Sequence, residues 1–411
     1  MNKKVVTLFC VILLITGRVY ISYALGNDEI IKNEKIITTN TDWIIDGEIV
    51  YPLTPSDEEW KKLFTETERV EACQIPDEII DKLSSEELMN AVVEYPLMGT
   101  LYIYSDMQTG FNILIKNCNA LRELLLRDDC IETVVKYYKT INIPENTIVD
   151  WSELVNEKYP EVAANEIIDN PELLKYAHED AKIIYACDLS EMILAVKNQE
   201  MDSEEVDELI GIALEKKIQK NKSEIFNGIK DSTYLDMACT TIKTSNIIQY
   251  DEDGNPYKET ELRSPSGYTF TVDEYLTSSN CNYQFWAELV AQTPYAIIVS
   301  IAAVTFNCHS YAWLSDIYPN KYIYYTLNSV PSALYNDPVF KKETSPNHNG
   351  EIVYWKSGLH SGKLNGTQIY QIEGHMSPKI LSKWGGGPMV LHYLNAYDGF
   401  GCGVEYYYKY K

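Results

Sequence analysis

The sequence predicts an α+β protein, helical through its first and longer part and rich in strands at its C-terminal end. Three observations predict it. Hydroxyl-capped segments with apolar residues at helical spacing fill residues 56–229, short runs of Tyr, Ile and Val follow residue 320, and the charge changes sign between them. The formal net charge is −25, yet residues 301–411 carry nine Lys against seven Asp and Glu, a net of +2, which leaves −27 on residues 1–300. A break that sharp marks a domain boundary before residue 300. The 411 residues also exceed the ~250–300 that a single core usually reaches. So negative a chain is no partner for nucleic acid, because phosphate binding needs clustered Lys and Arg.

Residues 1–26 read as a secretory signal peptide. Lys3 and Lys4 precede an apolar run from Val5 to Ile15, and Ser22-Tyr23-Ala24 and Ala24-Leu25-Gly26 offer small residues for cleavage. The run is too short to span a bilayer, and Cys10 lies inside it rather than at its end, which argues against a lipid anchor. The protein is therefore expected to be secreted or held at the cell surface. No later stretch reaches the ~18–20 apolar residues of a transmembrane helix. The nearest is Pro294 to Phe306, "PYAIIVSIAAVTF", which reads as a buried helix or strand.

Residues 50–240 form the expected acidic helical domain. Ser56-Asp-Glu-Glu59 and Ser84-Ser-Glu-Glu87 fit capping boxes, and Ile79, Ile80, Leu83, Leu88, Ala91 and Val92 recur at helical spacing. "FNILIKNCNALRELLL" and "EEVDELIGIALEKKI" keep that period, while Pro76, Pro96, Pro144 and Pro160 cut the run into short helices. The acidic side chains are a solvated face or a docking surface for a protein partner.

Residues 241–285 read as a turn-rich linker, from Asp251-Glu-Asp-Gly-Asn-Pro256 and Ser264-Pro-Ser-Gly267. Asp251-x-Asp253 begins like a calcium loop, but Gly254 comes too early for one. Residues 286–411 are then a helix bearing Cys308 and a small antiparallel sheet built from "KYIYYTL", "EIVYW", "TQIYQIEG", "KILSKW" and "GVEYYYKY". Besides Cys10 there are eight cysteines, at 73, 118, 130, 187, 239, 281, 308 and 402. Their even number suits disulfides in an exported chain, yet no CxxC occurs and no specific pair follows from spacing.

The chemistry points to "TFNCHSYAW" and "GEIVYWKSGLHSGKL". Five of the six histidines, 309, 348, 360, 375 and 392, crowd into the last 103 residues. Cys308 opens a plausible helix, where free backbone N–H groups lower a thiol below its usual ~8.5, and His360 follows an apolar strand. A zinc site from Cys308, His309 and His392 lacks His-x3-His or CxxC spacing, so no metal and no cofactor are expected.

Taken together, "NCHSYAW", "GEIVYW", "LHSG" and "SKWGGGP" resemble the NlpC/P60 and CHAP group of papain-like cysteine hydrolases, over residues 300–411. The resemblance implies a small papain-like domain, with Cys308 as nucleophile and His360 as general base. A third residue on the following strand would orient the imidazole, which falls on Ser382 or Lys383, with His392 and Asn395 as further candidates. Asn307 beside Cys308 would help stabilise an oxyanion. Tyr311, Trp313, Trp355 and Trp384 would line a substrate groove. The implied activity is a cysteine-type amidase or endopeptidase acting on peptidoglycan or cell-wall peptides through a thioester. The alternative is an inactive papain-like module, or a surface interaction protein, that recognises a glycan or peptide.

Overall fold

The structure, a computed structural model, describes residues 43–45, 48–104, 107–141, 159–197, 243–244, 247–250, 256–276, 282–300, 306–319, 322–327, 329–355, 360–397 and 404–409. The expected signal peptide, the helical run 204–218, Pro144, the Asp251-x-Asp253 turn, and Cys10, Cys239, Cys281 and Cys402 lie outside the described residues.

The chain enters on a small antiparallel ribbon, β1 (Ile44–Ile45) with β2 (Glu48–Ile49). Eight helices follow among the described residues: α1 (Glu66–Ala72), α2 (Asp77–Ile80), α3 (Ser85–Val93), α4 (Met107–Asn117), α5 (Asn119–Leu126), α6 (Cys130–Thr140), α7 (Pro160–Asp169) and α8 (Pro171–Lys197). Ser84 caps α3 as the sequence predicts: its hydroxyl accepts from the Glu87 N–H, and the Glu87 carboxylate accepts from the Ser84 N–H at 2.7 Å. The box expected at Ser56 does not form. There the Asp57 carboxylate accepts from the Thr54 N–H at 2.7 Å, and a 3-10 turn, Glu58–Lys62, follows. The box instead lies at Thr65 and Glu68, opening α1. The apolar period over residues 111–126 hides a break at Cys118, whose extended backbone separates α4 from α5. Pro160 and Pro171 each occupy a first helical position, where the missing N–H costs nothing.

The segment expected as a linker is a sheet of its own. It holds β3 (Lys243–Thr244), β4 (Gln249–Tyr250), β5 (Pro256–Arg263) and β6 (Thr269–Tyr275). β5 and β6 pair without slippage from Tyr257↔Tyr275 to Arg263↔Thr269, around a turn where Gly267 has φ +94°. Leu262, Phe270 and Val272 bury one face of the hairpin. Few apolar residues suffice here, because strand alternation gathers them on one side.

The rest of the chain runs through α9 (Tyr283–Ala291), β7 (Ile297–Ser300), β8 (Tyr325–Thr326), α10 (Ser332–Tyr335), β9 (Phe340–Glu343), β10 (Ile352–Trp355), β11 (Ser361–Ile372), β12 (His375–Lys383), β13 (Met389–Tyr393) and β14 (Val404–Lys409). β8 extends the hairpin sheet beside β6. The other strands make a seven-stranded antiparallel sheet in the order β7-β13-β12-β11-β10-β14-β9. The expected strand runs became β8, β10, β11, β12 and β14, whereas β9 and β13 were not foreseen. The apolar run at 294–306 supplies β7, on the sheet's edge, with Ile297 and Val299 exposed. Asn165 of α7 covers that edge, bonding both the N–H and the carbonyl of Ile298 at 3.0 and 2.8 Å.

Both faces of the middle of the large sheet are buried. Val353, Trp355, Leu364, Ile380, Trp384, Val390 and Tyr406 join one core with Trp60, Leu88, Leu121, Tyr185 and Trp286 of the helical part. Ile352 and Tyr407, on the other face, join Trp313, Phe340 and the hairpin residues. The change of charge before residue 300 thus has no matching gap in the packing, and the described residues fall in one compact unit, Thr41–Lys411. The fold is α+β, helices first and sheet last, with the Cys308 segment packed on an antiparallel sheet. No helix among the described residues is long and apolar enough to cross a membrane.

Candidate active site

Cys308 is the first residue of a short helical segment that continues as a π-helical turn, Ser310–Leu314. Asn307 caps it. Its Oδ1 accepts from the Ser310 N–H at 3.1 Å, and its Nδ2 donates to the Leu327 carbonyl at 2.7 Å. Asn307 thus caps the segment and ties it to Leu327. Backbone N–H groups of Ser361, His309 and Cys308 itself, with the Lys383 charge, act on the Cys308 thiol to favour its thiolate. π-Turns of this kind recur at functional sites.

Strand alternation decides who meets whom. Tyr354 pairs with Ser361 and Ile352 with Lys363, so Ser361 and Lys363 share the face of Trp313. Leu381 pairs with Lys363, which puts Lys383, two residues on, on that face too. Here His309 Nδ1 lies 2.8 Å from Ser361 Oγ, the Trp313 indole donates to the same oxygen at 3.3 Å, and Lys383 Nζ sits 4.8 Å from the Phe306 ring centre. Lys383 also donates to the Gly385 carbonyl at 3.0 Å.

His360 belongs to the opposite face, with Trp355 at 4.9 Å and His392 at 6.5 Å between ring centres. Ser382, expected to orient His360, lies with its Oγ 2.8 Å from His392 Nε2. His392 Nδ1 is 3.1 Å from the Tyr393 carbonyl, which can only accept, so Nδ1 carries the proton and Nε2 accepts from Ser382. The structure groups the expected residues into two sets. Cys308 gathers Ser361, His309 and Lys383, whereas His360 gathers Trp355, His392 and, through it, Ser382. Ser361 was missed, and the signal for it was its alternation with His360 along the strand.

Burial sets the electrostatics. Cys308, His309, His360, Ser361, Ser382 and Lys383 are fully buried. Burial pushes the Cys308 thiol up to about 11, and the N–H groups and Lys383 only partly offset it. The depressed thiol that the helix start predicts is therefore overturned by desolvation. Burial, with His392 and His309 nearby, holds His360 well below the usual imidazole range, and burial lowers His392 to about 4.

The aromatic groove is also corrected. Trp313, Trp355 and Trp384 are core residues, and Trp313 packs against Phe340, Tyr354 and Tyr407 at 5.5, 5.8 and 5.1 Å. Tyr311 alone of the four is half-buried, with the Lys363 ammonium 5.7 Å from its ring centre. A surface depression of about 560 Å3, lined by residues of α7 and α8 such as Asn165 and Leu173, shares none of these residues. Among the described residues no group of three His, Cys, Asp or Glu is arranged to hold a metal ion. Compared with protein-family models, curated proteins and solved structures, the chain finds no match in any of the three.

Proposed function

We propose that the protein is an exported cysteine hydrolase that cleaves amide bonds in cell-wall peptides, with Cys308 as nucleophile. The observation that carries this is the seat of Cys308 at a helix start, its sulfur facing the backbone N–H groups of Ser361 and His309 near the Lys383 ammonium. Such donors favour a thiolate and, later, an oxyanion. The likeness of "NCHSYAW", "GEIVYW", "LHSG" and "SKWGGGP" to papain-like hydrolases supports an amide substrate. An imidazole accepts the thiol proton, and the sulfur adds to the carbonyl carbon. The C–N bond breaks as the proton passes to the leaving amine, and water hydrolyses the thioester. By that likeness the imidazole is His360, next in the chain to Ser361, whose backbone N–H favours the Cys308 thiolate; His309, whose Nδ1 lies 2.8 Å from Ser361 Oγ, is the competing base.

Complete burial and a thiol near 11 favour a second reading, a domain of hydrolase descent that binds without turnover. Peptidoglycan digestion and thiol labelling of the folded chain separate the two. Turnover should fall by more than about a thousandfold in Cys308→Ala and again in His360→Gln, the double variant being little worse. Loss in His309→Gln with His360→Gln active would move the base to His309. No turnover, with Cys308 labelled only after unfolding, would leave the binding module.

A further inference from the structure

Away from that site, Cys73 follows α1 and Cys118 precedes α5, and the chain beside each is stitched to the other. Gln74 Nε2 donates to the Asn117 carbonyl at 2.7 Å. Asn119 Oδ1 accepts from the Ile75 N–H at 3.2 Å, and its Nδ2 donates to the Ile75 carbonyl at 2.7 Å. Residues 74–75 thus run beside residues 117–119, which brings the two cysteines to neighbouring positions in one buried layer. Both are free thiols, and both are buried. Tyr51 and Tyr95, whose rings meet edge to face at 5.8 Å, share the spot, and each hydroxyl feels both sulfurs. Burial raises the Cys118 thiol to about 12, and burial followed by Cys118 raises that of Cys73. Thiols held so high are poor nucleophiles, so catalysis is not what the pair suits.

We propose that Cys73 and Cys118 join as a disulfide when the chain folds in oxidising surroundings, tying the end of α1 to the start of α5. The two thiols give up two protons and two electrons, one S–S bond forms, and an external disulfide of the glutathione class is reduced to two thiols. The exchange passes through a mixed disulfide, so it takes place while the chain is still open, before both sulfurs are covered. The link closes the loop that carries α2, α3 and α4, and so restricts the unfolded chain.

The test refolds the full chain in oxidised and reduced glutathione, alkylates it, digests it without reduction and reads the peptides by mass spectrometry. A peptide pair joining Cys73 to Cys118 is expected, lost on reduction, with the oxidised protein melting a few degrees above the reduced one. In Cys73→Ser, Cys118 should be alkylated and the melting point should ignore this redox change. If that variant does not fold, the peptide map of the unsubstituted chain still decides. Full alkylation of both cysteines in the oxidised product, or their joining to other cysteines instead, would overturn the proposal.

Discussion

His178 of α8 lies between two carboxylates, with Nδ1 3.1 Å from Glu288 of α9 and Nε2 3.5 Å from Glu94, just past α3. Glu288 is buried and also accepts from the Tyr185 hydroxyl and, at 3.1 and 3.2 Å, from the Gln292 amide, while Lys182 pairs with Glu94. Burial pulls the imidazole down, but hydrogen bonds and charges from Glu288 and Glu94 win, and it rises to about 9. A raised folded value means that this stabilisation is complete below the unfolded ~6.5 and is lost as pH climbs through about 9. His392 works in reverse: lowered to about 4, it contributes fully above ~6.5 and its contribution is lost as pH falls towards 4. Urea unfolding should therefore show greatest stability near pH ~6.5. His178→Gln should cost about 2 kcal/mol there and flatten the alkaline limb. An alkaline limb unchanged in that variant would disprove the assignment. His178 was not legible as a bridge, since its partners lie 110 and 84 positions away. Crowding drew the eye to the C-terminal histidines instead.

At the scale of elements, what is local was legible and what is lateral was not. The cap at Ser84 and the turn at Gly267 depend on neighbours within a few positions, so pattern alone found them. The placing of His360 and Ser361 on opposite sides was not legible, because it is set by the sheet. A histidine one residue from Ser361 faces the other way, and no motif spacing records which face a helix will cover. β9 and β13 were missed for a similar reason, as Lys341, Lys342 and His392 interrupt their apolar pattern. The junction between sheet and helices turns on Gly385, between β12 and β13. Its φ is +46°, and a Cβ there would collide with the Tyr102 carbonyl of the helical part. Gly385→Ala should thus cost about 2–4 kcal/mol by urea unfolding, from strain and overlap together. Gly366→Ala, at φ +86° with open space around it, should cost only about 1 kcal/mol, from strain alone. Equal losses in the two variants would show that the Tyr102 contact adds nothing.

Over the whole molecule, the charge asymmetry suggests two bodies while the hydrophobic contacts make one. Charge is read at the surface, and nothing forces the surface boundary to coincide with a gap in the core. Direct ties cross from the beginning of the described chain to its end. Arg69 donates to the Ala396 carbonyl at 2.7 Å, the Trp60 indole to the Gln292 carbonyl at 3.1 Å, and His375 lies 3.4 Å from Glu68. Trp60, Trp286, Trp355 and Trp384 then share one buried cluster with α3, α5 and α8. Removing the sheet would expose the inner side of α9, and removing the helices would uncover Val353, Ile380 and Val390. Neither half keeps a closed core, so both should unfold together. Tryptophan fluorescence, which samples both parts, and far-UV circular dichroism, weighted to the helices, should give coincident urea transitions. The hairpin at residues 256–276 should resist limited proteolysis, because Leu262, Phe270 and Val272 anchor it against Trp313. Early cleavage inside that hairpin, or a helical transition well separated from the fluorescence change, would mean that the helices and the sheet are independent domains after all.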